Sequence, residues 1–306
     1  MIHVVCTVGL KQIALVPQFV AHYRALGVGR IWLTLHVGAR LPATPAADAI
    51  CTEAMRLLEK LGTEPLPFLI GDFDAMLVRK RHDAIQGARI PSGDWVLWAD
   101  TDEFQVYPRA LAELLAEADD QNANAIGGEL VDRVARDGAL IRFDPALPVW
   151  RQFPLGSDVT RRVLQGFTHK VAASKGNVLV GPGHHEALPS SPVPVIWARD
   201  LAAIHHFKWD DGVIARLALR TEDDWKRRCP WWVESQRFLD HAAEHGHIDL
   251  TGADTYDFGD GMHRADDAAA WAYVTQQRAA NVHWHLRKGM QDVPSAVKPD
   301  AVRQAS

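Results

Sequence analysis

Residues 93–108 read GDWVLWADTDEFQVYP, and the apolar run WVLWA ends in Asp100, Thr101, Asp102 and Glu103. Like charges this close repel one another and resist burial, so a hydrophobic strand that delivers them together implies a cation or a reacting substrate at its end. An Asp-x-Asp pair of oxygen ligands suits Mg²⁺ or Mn²⁺, which take one or two protein carboxylates and fill the remaining shell with water and phosphate oxygens. Bridging a diphosphate, such an ion stabilises the charge that develops as the diphosphate leaves. The plainer alternative is an acidic loop capping the helix that follows Pro108.

Two histidine pairs add to the inventory, His184-His185 in GPGHHEAL and His205-His206 in IHHFKW. Neutral imidazole completes a Mn²⁺ shell, donates to phosphate, or satisfies a buried carbonyl. In strands the members of each pair face opposite sides, so one reaches a cleft while the other packs. His206 is the candidate third metal ligand beside Asp100 and Asp102, and His205 is read as structural; between His184 and His185 the sequence does not decide. A transfer that inverts stereochemistry needs a carboxylate in reach of the attacking hydroxyl, and Glu186, Asp210, Asp211, Glu222, Asp223 and Glu234 are available. Asp223 lies in TEDDW, which is also an ordinary helix N-terminus, and its rival Glu186 adjoins a His pair. Trp209, Trp225, Trp231 and Trp232 offer either a platform for sugar rings or core packing.

These groups need elements to hold them. HVVCTV reads as a strand and LKQIALVPQFVAHYRALG as a helix with Ile13, Val16, Phe19, Val20, Tyr23 and Leu26 at helical spacing. RIWLTLHV, PAADAICTEAMRLLEKLG, TEPLPFLI and DAMLVRKRHDAIQGAR continue the alternation up to DWVLWAD. A β-α-β-α-β-α-β order predicts an α/β fold, a mainly parallel sheet flanked by helices, whose central strands are buried on both faces and therefore continuously apolar. Ligands of such sheets bind beyond the carboxyl ends of the strands, where Asp100–Glu103 fall. After the helix at PRALAELLAEADD the alternation lapses into a mixed β and helical half. β-like runs there are AIGGELVDRV, ALIRF, HKVAAS, NVLVG and VPVIWA, and helical patterns return over 210–247 and 266–287. The expected organisation is one domain over 1–290 with a first half at 1–107, a second at 108–250, a C-terminal helical part at 251–290, and a loose tail at 291–306.

The 306 residues are 47% hydrophobic, enough for a substantial core. A net charge of −5 and a pI near 6.3 give no basis for nucleic-acid binding, although Arg79, Lys80 and Arg81 form a small basic cluster. No apolar run reaches membrane-span length and no leader pattern opens the chain, which predicts a cytoplasmic protein; no basic amphipathic helix stands out for more than peripheral contact with the inner face of a membrane. Cys6, Cys51 and Cys229 are too few and too scattered for a disulfide framework or a cysteine zinc site.

DWVLWADTDEF resembles the metal-binding signature of GT-A glycosyltransferases, particularly the family-2-like group in which an Asp-x-Asp-Glu-Phe run closes the nucleotide-binding half. VPQFVAHYRALGVGRIWLTLH is similar to the first helix and second strand of those enzymes, with Pro17-Gln18-Phe19 and Ala21-His22 where an acidic Glu-Trp often stands. The resemblance implies a UDP- or GDP-sugar donor, with the first half binding the nucleotide sugar and the second half the acceptor. It implies Mn²⁺ or Mg²⁺ on Asp100 and Asp102, Arg81 facing the nucleotide, and a glycan or glycoconjugate acceptor in a biosynthetic transfer read as inverting. Lys170, one of His184 and His185, and His206-Phe207 align by order and context with residues lining the site. Lys170 is assigned with Asp100 and Arg81 to the donor and cation, and His185, Lys208 and Trp209 to the substrate. Glu186 and Asp223 are the base candidates. A metal-dependent phosphoester hydrolase built on Asp100, Asp102 and the His pairs, and a non-catalytic carbohydrate-binding protein, are the alternatives.

Overall fold

The computed structural model describes residues 1–38, 44–226 and 231–280. The expected tail at 291–306, the end of the last helical pattern, and Cys229 lie outside the described residues. In chain order the strands are β1 (Ile2–Gly9), β2 (Arg30–Val37), β3 (Glu64–Ile70), β4 (Trp95–Trp98), β5 (Glu103–Val106), β6 (Ala125–Val134), β7 (Leu155–Ser157), β8 (His169–Lys175), β9 (Trp197–His206) and β10 (Tyr256–Asp257). The helices are α1 (Val16–Ala25), α2 (Pro45–Lys60), α3 (Ala75–Arg89), α4 (Leu111–Asp120), α5 (Val149–Gln152), α6 (Val159–Arg162), α7 (Val213–Arg220), α8 (Asp223–Lys226), α9 (Trp232–His245) and α10 (Ala268–Ala280).

The strands form one ten-stranded mixed sheet with the α/β architecture expected from the alternation. Its first half runs β3-β2-β1-β4, all parallel. β8 joins antiparallel to β4, and β6 antiparallel to β8. β9 lies parallel to β6 and carries β5 antiparallel on its other side. The sheet thereby passes from the first half of the chain into the second without a break.

Burial on both faces explains the apolar run before Asp100. Along β1, Val4, Cys6 and Val8 join the large core cluster with Phe19, Tyr23 and Leu58 of α1 and α2, while Val5 faces the opposite cluster with Ile85 of α3. β4 divides in the same way, with Leu97 on the first side and Val96 and Trp98 on the second. Trp98 is 1% exposed and its indole donates to Ser174 Oγ at 2.9 Å, so a large apolar body is buried with its one donor satisfied. Burial of a side chain of this size contributes about 1.5–3 kcal/mol. α3 begins where the Asp74 carboxylate accepts from the backbone N–H groups of Met76 and Leu77, a side-chain cap that fixes which face the helix turns to the sheet.

Two β-like runs are not strands. ALIRF passes irregularly from the left-handed Gly138 turn, φ 72°, towards Pro145, and Leu140, Ile141 and Phe143 pack as partly buried side chains. NVLVG makes only an isolated bridge, Val180 to Ala187, because the chain turns at once through Pro182–His184. The first His pair therefore lies in a 3₁₀ turn, with His184 at φ 61°, and the alternating-face argument applies only to His205 and His206 in β9. Asp100–Glu103 do not cap α4, whose N-cap position is Ala110; Glu103 instead opens β5.

Candidate active site

Strand direction gathers the polar groups at one edge of the sheet. β1, β4, β6 and β9 end there, and the antiparallel β5 and β8 begin there. Thr7, Asp100, Asp132 and His206 come from the ending strands, and Glu103 and Lys170 from the beginning ones. This is the edge at which open α/β sheets hold ligands.

Lys170 organises the acidic turn. It is 2% exposed, its Nζ donates to Glu103 Oε1 and lies 3.5 Å from Asp100 Oδ2, and the Asp100 backbone N–H donates to Glu103 Oε2 at 3.2 Å. Desolvation works against the ammonium, but the Glu103 and Asp100 charges outweigh it and raise Lys170 to about 12. Burial pushes the Glu103 carboxyl up. Burial would raise Asp100 as well, yet Lys170, followed by His184, His82 and His206, holds it well below the usual carboxylate range. Asp100 is thus an anion whose side chain is half exposed at the mouth. α1 fixes this turn from beneath, Tyr23 Oη donating to the Glu103 carbonyl at 3.0 Å and His22 Nε2 to the Gln105 carbonyl at 2.8 Å.

Asp102 is 8% exposed, and its Oδ2 accepts from Gln12 Nε2 at 3.1 Å. His206 stands opposite Asp132 in the β6–β9 register, and its Nδ1 lies 3.0 Å from Asp132 Oδ1. An ionised carboxylate only accepts, so Nδ1 carries the proton and Nε2 keeps its lone pair, the arrangement that orients metal-binding imidazoles. Asp132 also accepts from the Thr160 backbone N–H and hydroxyl and from the Trp209 indole. Burial raises this carboxyl, but the hydrogen bonds from His206, Thr160 and Trp209 bring it below its ordinary value.

The three side chains whose ligand atoms converge within 4.8 Å of one another, among the described residues, are Asp100, Glu103 and His184. Asp102 and His206 are not members of that set, and Glu103 is committed to Lys170. His184 is 4% exposed; its Nε2 lies 3.4 Å from His82 Nδ1, and its Nδ1 is buried without a hydrogen-bond partner. A His184 ring nitrogen within 4.8 Å of the Asp100 and Glu103 carboxylates fits a divalent cation with mixed oxygen and nitrogen ligands. His82 is fixed by Thr7 Oγ1 at 2.9 Å, and burial lowers it to about 4.

The other sequence candidates spread around this core. His185 Nδ1–H donates to the His169 carbonyl at 2.9 Å, and burial lowers it to about 4. Lys208 follows β9 with its Nζ 5.0 Å from the Trp209 ring centroid. Trp209 is fully buried, so it presents no face to a sugar and instead holds Asp132. Arg81 donates to the Pro67 carbonyl at 2.9 Å, and Arg79 pairs with Asp83 at 3.3 Å. Asp223 has a side chain 92% exposed, starts the short α8, and pairs with Lys226. Glu186 packs beside Gly181, whose N–H donates to the Glu186 carbonyl. Trp225 stacks on Phe73 with planes 5° apart and centroids 5.9 Å apart, which brings the second half against the carboxyl end of β3.

Asp132, His82, Thr7 and Gln12 were not among the sequence candidates. Asp132 had a signal: an aspartate within the otherwise apolar run GELVDRV, a strand in which all ten residues are buried. Thr7, Gln12 and His82 carried no pattern of their own, since what makes them relevant is contact across 75 to 102 residues.

No family model matches the chain, and no curated protein matches it. A solved structure of UDP-glucose pyrophosphorylase complexed with UDP-glucose aligns with 92% of this chain and 100% of that one, at 10% sequence identity and a TM-score of 0.27.

Proposed function

We propose that the chain is a metal-dependent glycosyltransferase that moves a sugar from a nucleoside-diphosphate sugar to a hydroxyl of a glycan or glycoconjugate. The observation that carries this reading is the gathering, at one sheet edge, of the ionised Asp100 with the Lys170 ammonium, the His184 imidazole and the Asp132-oriented His206. Asp100 and His184, from the convergent set, would hold Mn²⁺ or Mg²⁺, with Asp102 and His206 as the further donors expected from the sequence. When bound, the ion supplies charge stabilisation to the departing diphosphate.

The protein's own groups prepare that step. Lys170 keeps Asp100 and Glu103 from repelling each other and fixes the carboxylate geometry before any ligand arrives. Asp132 keeps His206 in one tautomer. Arg81 stands on the donor side, and His185 and Lys208 on the acceptor side. Of the acceptor-half carboxylates named as bases, Glu186 lies beside the His pair, whereas Asp223 is exposed. Glu234, raised by burial and beside Gly166, suits proton removal better than Asp223.

The His82–His184 pair beside Asp100 favours one second reading, a phosphoester hydrolase. Incubation with UDP- and GDP-sugars in Mn²⁺ separates the two. Release of the nucleoside diphosphate, lost in EDTA, supports transfer; cleavage of a simple aryl phosphate with no action on any nucleotide sugar supports the hydrolase.

A further inference from the structure

The sheet has a second edge, opposite the carboxylates, where β1, β4, β6 and β9 begin and β8 ends. Lys175 at the end of β8 stands five residues beyond Lys170, which puts the two edges about 17 Å apart along the strand. A cleft of about 340 Å³ opens there, between the loop before β4, the end of α4, the turn after β8 and the segment leading into β9. That volume lies at the lower end of the range for small-molecule sites.

The walls of the cleft are fixed by contacts of their own. Asn124 Nδ2 donates to the Pro194 carbonyl at 2.8 Å and its Oδ1 accepts from the Ile196 N–H at 2.8 Å, which ties the segment before β9 to the start of β6. Lys175 Nζ donates to the Gly93 carbonyl at 2.8 Å, lies 2.7 Å from Asp119 Oδ1, and sits 4.6 Å from the Trp95 ring centroid. The turn after β8 presses on the loop before β4, since a Cβ at Gly176 would come 2.4 Å from the Pro91 carbonyl oxygen. A cleft formed in advance spares a ligand the cost of ordering it.

The groups that face the cleft are uncommitted. Among the described residues, the side chains of Ser92, Asn122 and Asn177 line it and make no hydrogen bond within the protein. Asn122 is held by its backbone, at φ 55° after α4, with its N–H donating to the Asp119 carbonyl at 2.9 Å. Lys175 and the Trp95 indole both reach Asp119 Oδ1, which leaves Oδ2 to accept from a ligand. Each carboxamide offers two donors and an acceptor, and the hydroxyl offers both roles. The Lys175 and Asp119 charges cancel, so the lining does not select a phosphate or carboxylate. Among the described residues no aromatic ring lines the cleft for a nucleobase to stack on, and Ala123 and Val193 offer too little apolar surface for an acyl chain. A neutral ligand dense in hydroxyls is the class that matches.

We infer that this cleft binds a neutral saccharide, at a site separate from the metal-binding edge. Asn122 and Asn177 take adjacent hydroxyls, Asp119 Oδ2 accepts from a third, and Val193 packs on the C–H face of the ring. The inference does not rest on the glycosyl-transfer reading. A free sugar and one unit of a longer glycan present the same hydroxyls.

Saturation-transfer difference NMR on the full-length protein tests this with D-glucose, D-galactose, D-mannose and N-acetyl-D-glucosamine, then with linear tetramers of glucose, mannose and N-acetylglucosamine. At least one probe receives saturation in EDTA, and still does so with saturating UDP and Mn²⁺. Transfer to a monosaccharide assigns the cleft to a free sugar, and transfer to a tetramer alone assigns it to a stretch of glycan. Asn122→Gly, which suits the left-handed backbone, combined with Asn177→Ala weakens binding by about tenfold or more. If that double variant loses its native unfolding transition, Asn177→Ala alone provides the comparison. Absence of transfer to every probe, loss of transfer in EDTA, displacement by UDP, or equal binding by a folded variant overturns the inference.

Discussion

His206 Nδ1 and Asp132 Oδ1 lie 3.0 Å apart across the parallel pair β6–β9, at positions directly opposite in register. The carboxylate fixes the imidazole tautomer, and four further constraints on Asp132 and its neighbours, from Thr160, Trp209 and the strand pairing, fix the carboxylate. Sheet register thus determines which imidazole nitrogen faces the cluster.

Asp132→Asn tests that relationship. The amide leaves buried donors at Thr160 and Trp209 poorly matched, and unfolding free energy falls by about 2–4 kcal/mol. Mn²⁺ affinity, followed by electron paramagnetic resonance, falls by about 10–100-fold because His206 loses its orienting partner. Unchanged Mn²⁺ affinity in a folded variant would remove His206 from the site.

Lys170→Met strands Glu103 as a buried carboxylate without its cation and lowers stability by about 3–5 kcal/mol in urea unfolding. Adding Glu103→Gln restores part of that loss, which a merely steric role for Lys170 would not allow. The folded pKa of Lys170, about 12, lies above its ordinary 10.5. Its contribution is therefore complete below pH 10.5 and lost as pH rises through 12, a segment of the stability profile that Lys170→Met abolishes.

Acid acts through the buried imidazoles. His22, His82 and His185 are each lowered by burial from 6.5 to about 4. Neutral imidazole is favoured in the folded state, so their contribution is complete above pH 6.5 and lost as pH falls towards 4. Urea unfolding at pH 5.5 shows a stability about 2–4 kcal/mol below that at pH 7.5. His82→Gln reduces that difference; an identical pH slope in the variant would contradict a buried neutral His82.

Arg133 is fully buried, donating to the Phe153 and Pro154 carbonyls and to His205 Nδ1, with its guanidinium 4.5 Å from the Phe258 ring centroid. Burial lowers it to about 9. Arg133→Met leaves the Phe153 carbonyl and His205 Nδ1 without a donor, the Pro154 carbonyl keeping the Phe258 N–H, and costs about 2–4 kcal/mol, measured as a lowered thermal midpoint. A midpoint within one degree of wild type would show that Arg133 does not tie β9 to the preceding segments.

The parts of this structure that were legible in the sequence are those with local causes. WVLWA is continuously apolar because β4 is buried on both faces, and Asp100 falls at the strand end because β4 stops there. ALIRF and NVLVG have the composition of strands, but the Gly138 turn and Pro182 divert them, and strand pairing depends on partners that composition does not specify. His184 was left undecided against His185 because its role comes from His82, 102 residues away. Trp209 reads as a sugar platform in isolation; only the β6–β9 register shows that its indole serves Asp132. The convergent set of Asp100, Glu103 and His184 was half visible, since Glu103 stood in the acidic run but its engagement with Lys170 did not.

Calorimetric titration of the protein with UDP and GDP, in Mn²⁺ and then in EDTA, alongside Asp102→Ala, tests the proposed donor site most directly. Binding of one nucleotide that requires both the metal and Asp102, in a variant that keeps its native unfolding transition, is the result predicted. Failure of both nucleotides to bind in Mn²⁺, or equal binding by Asp102→Ala, would contradict it.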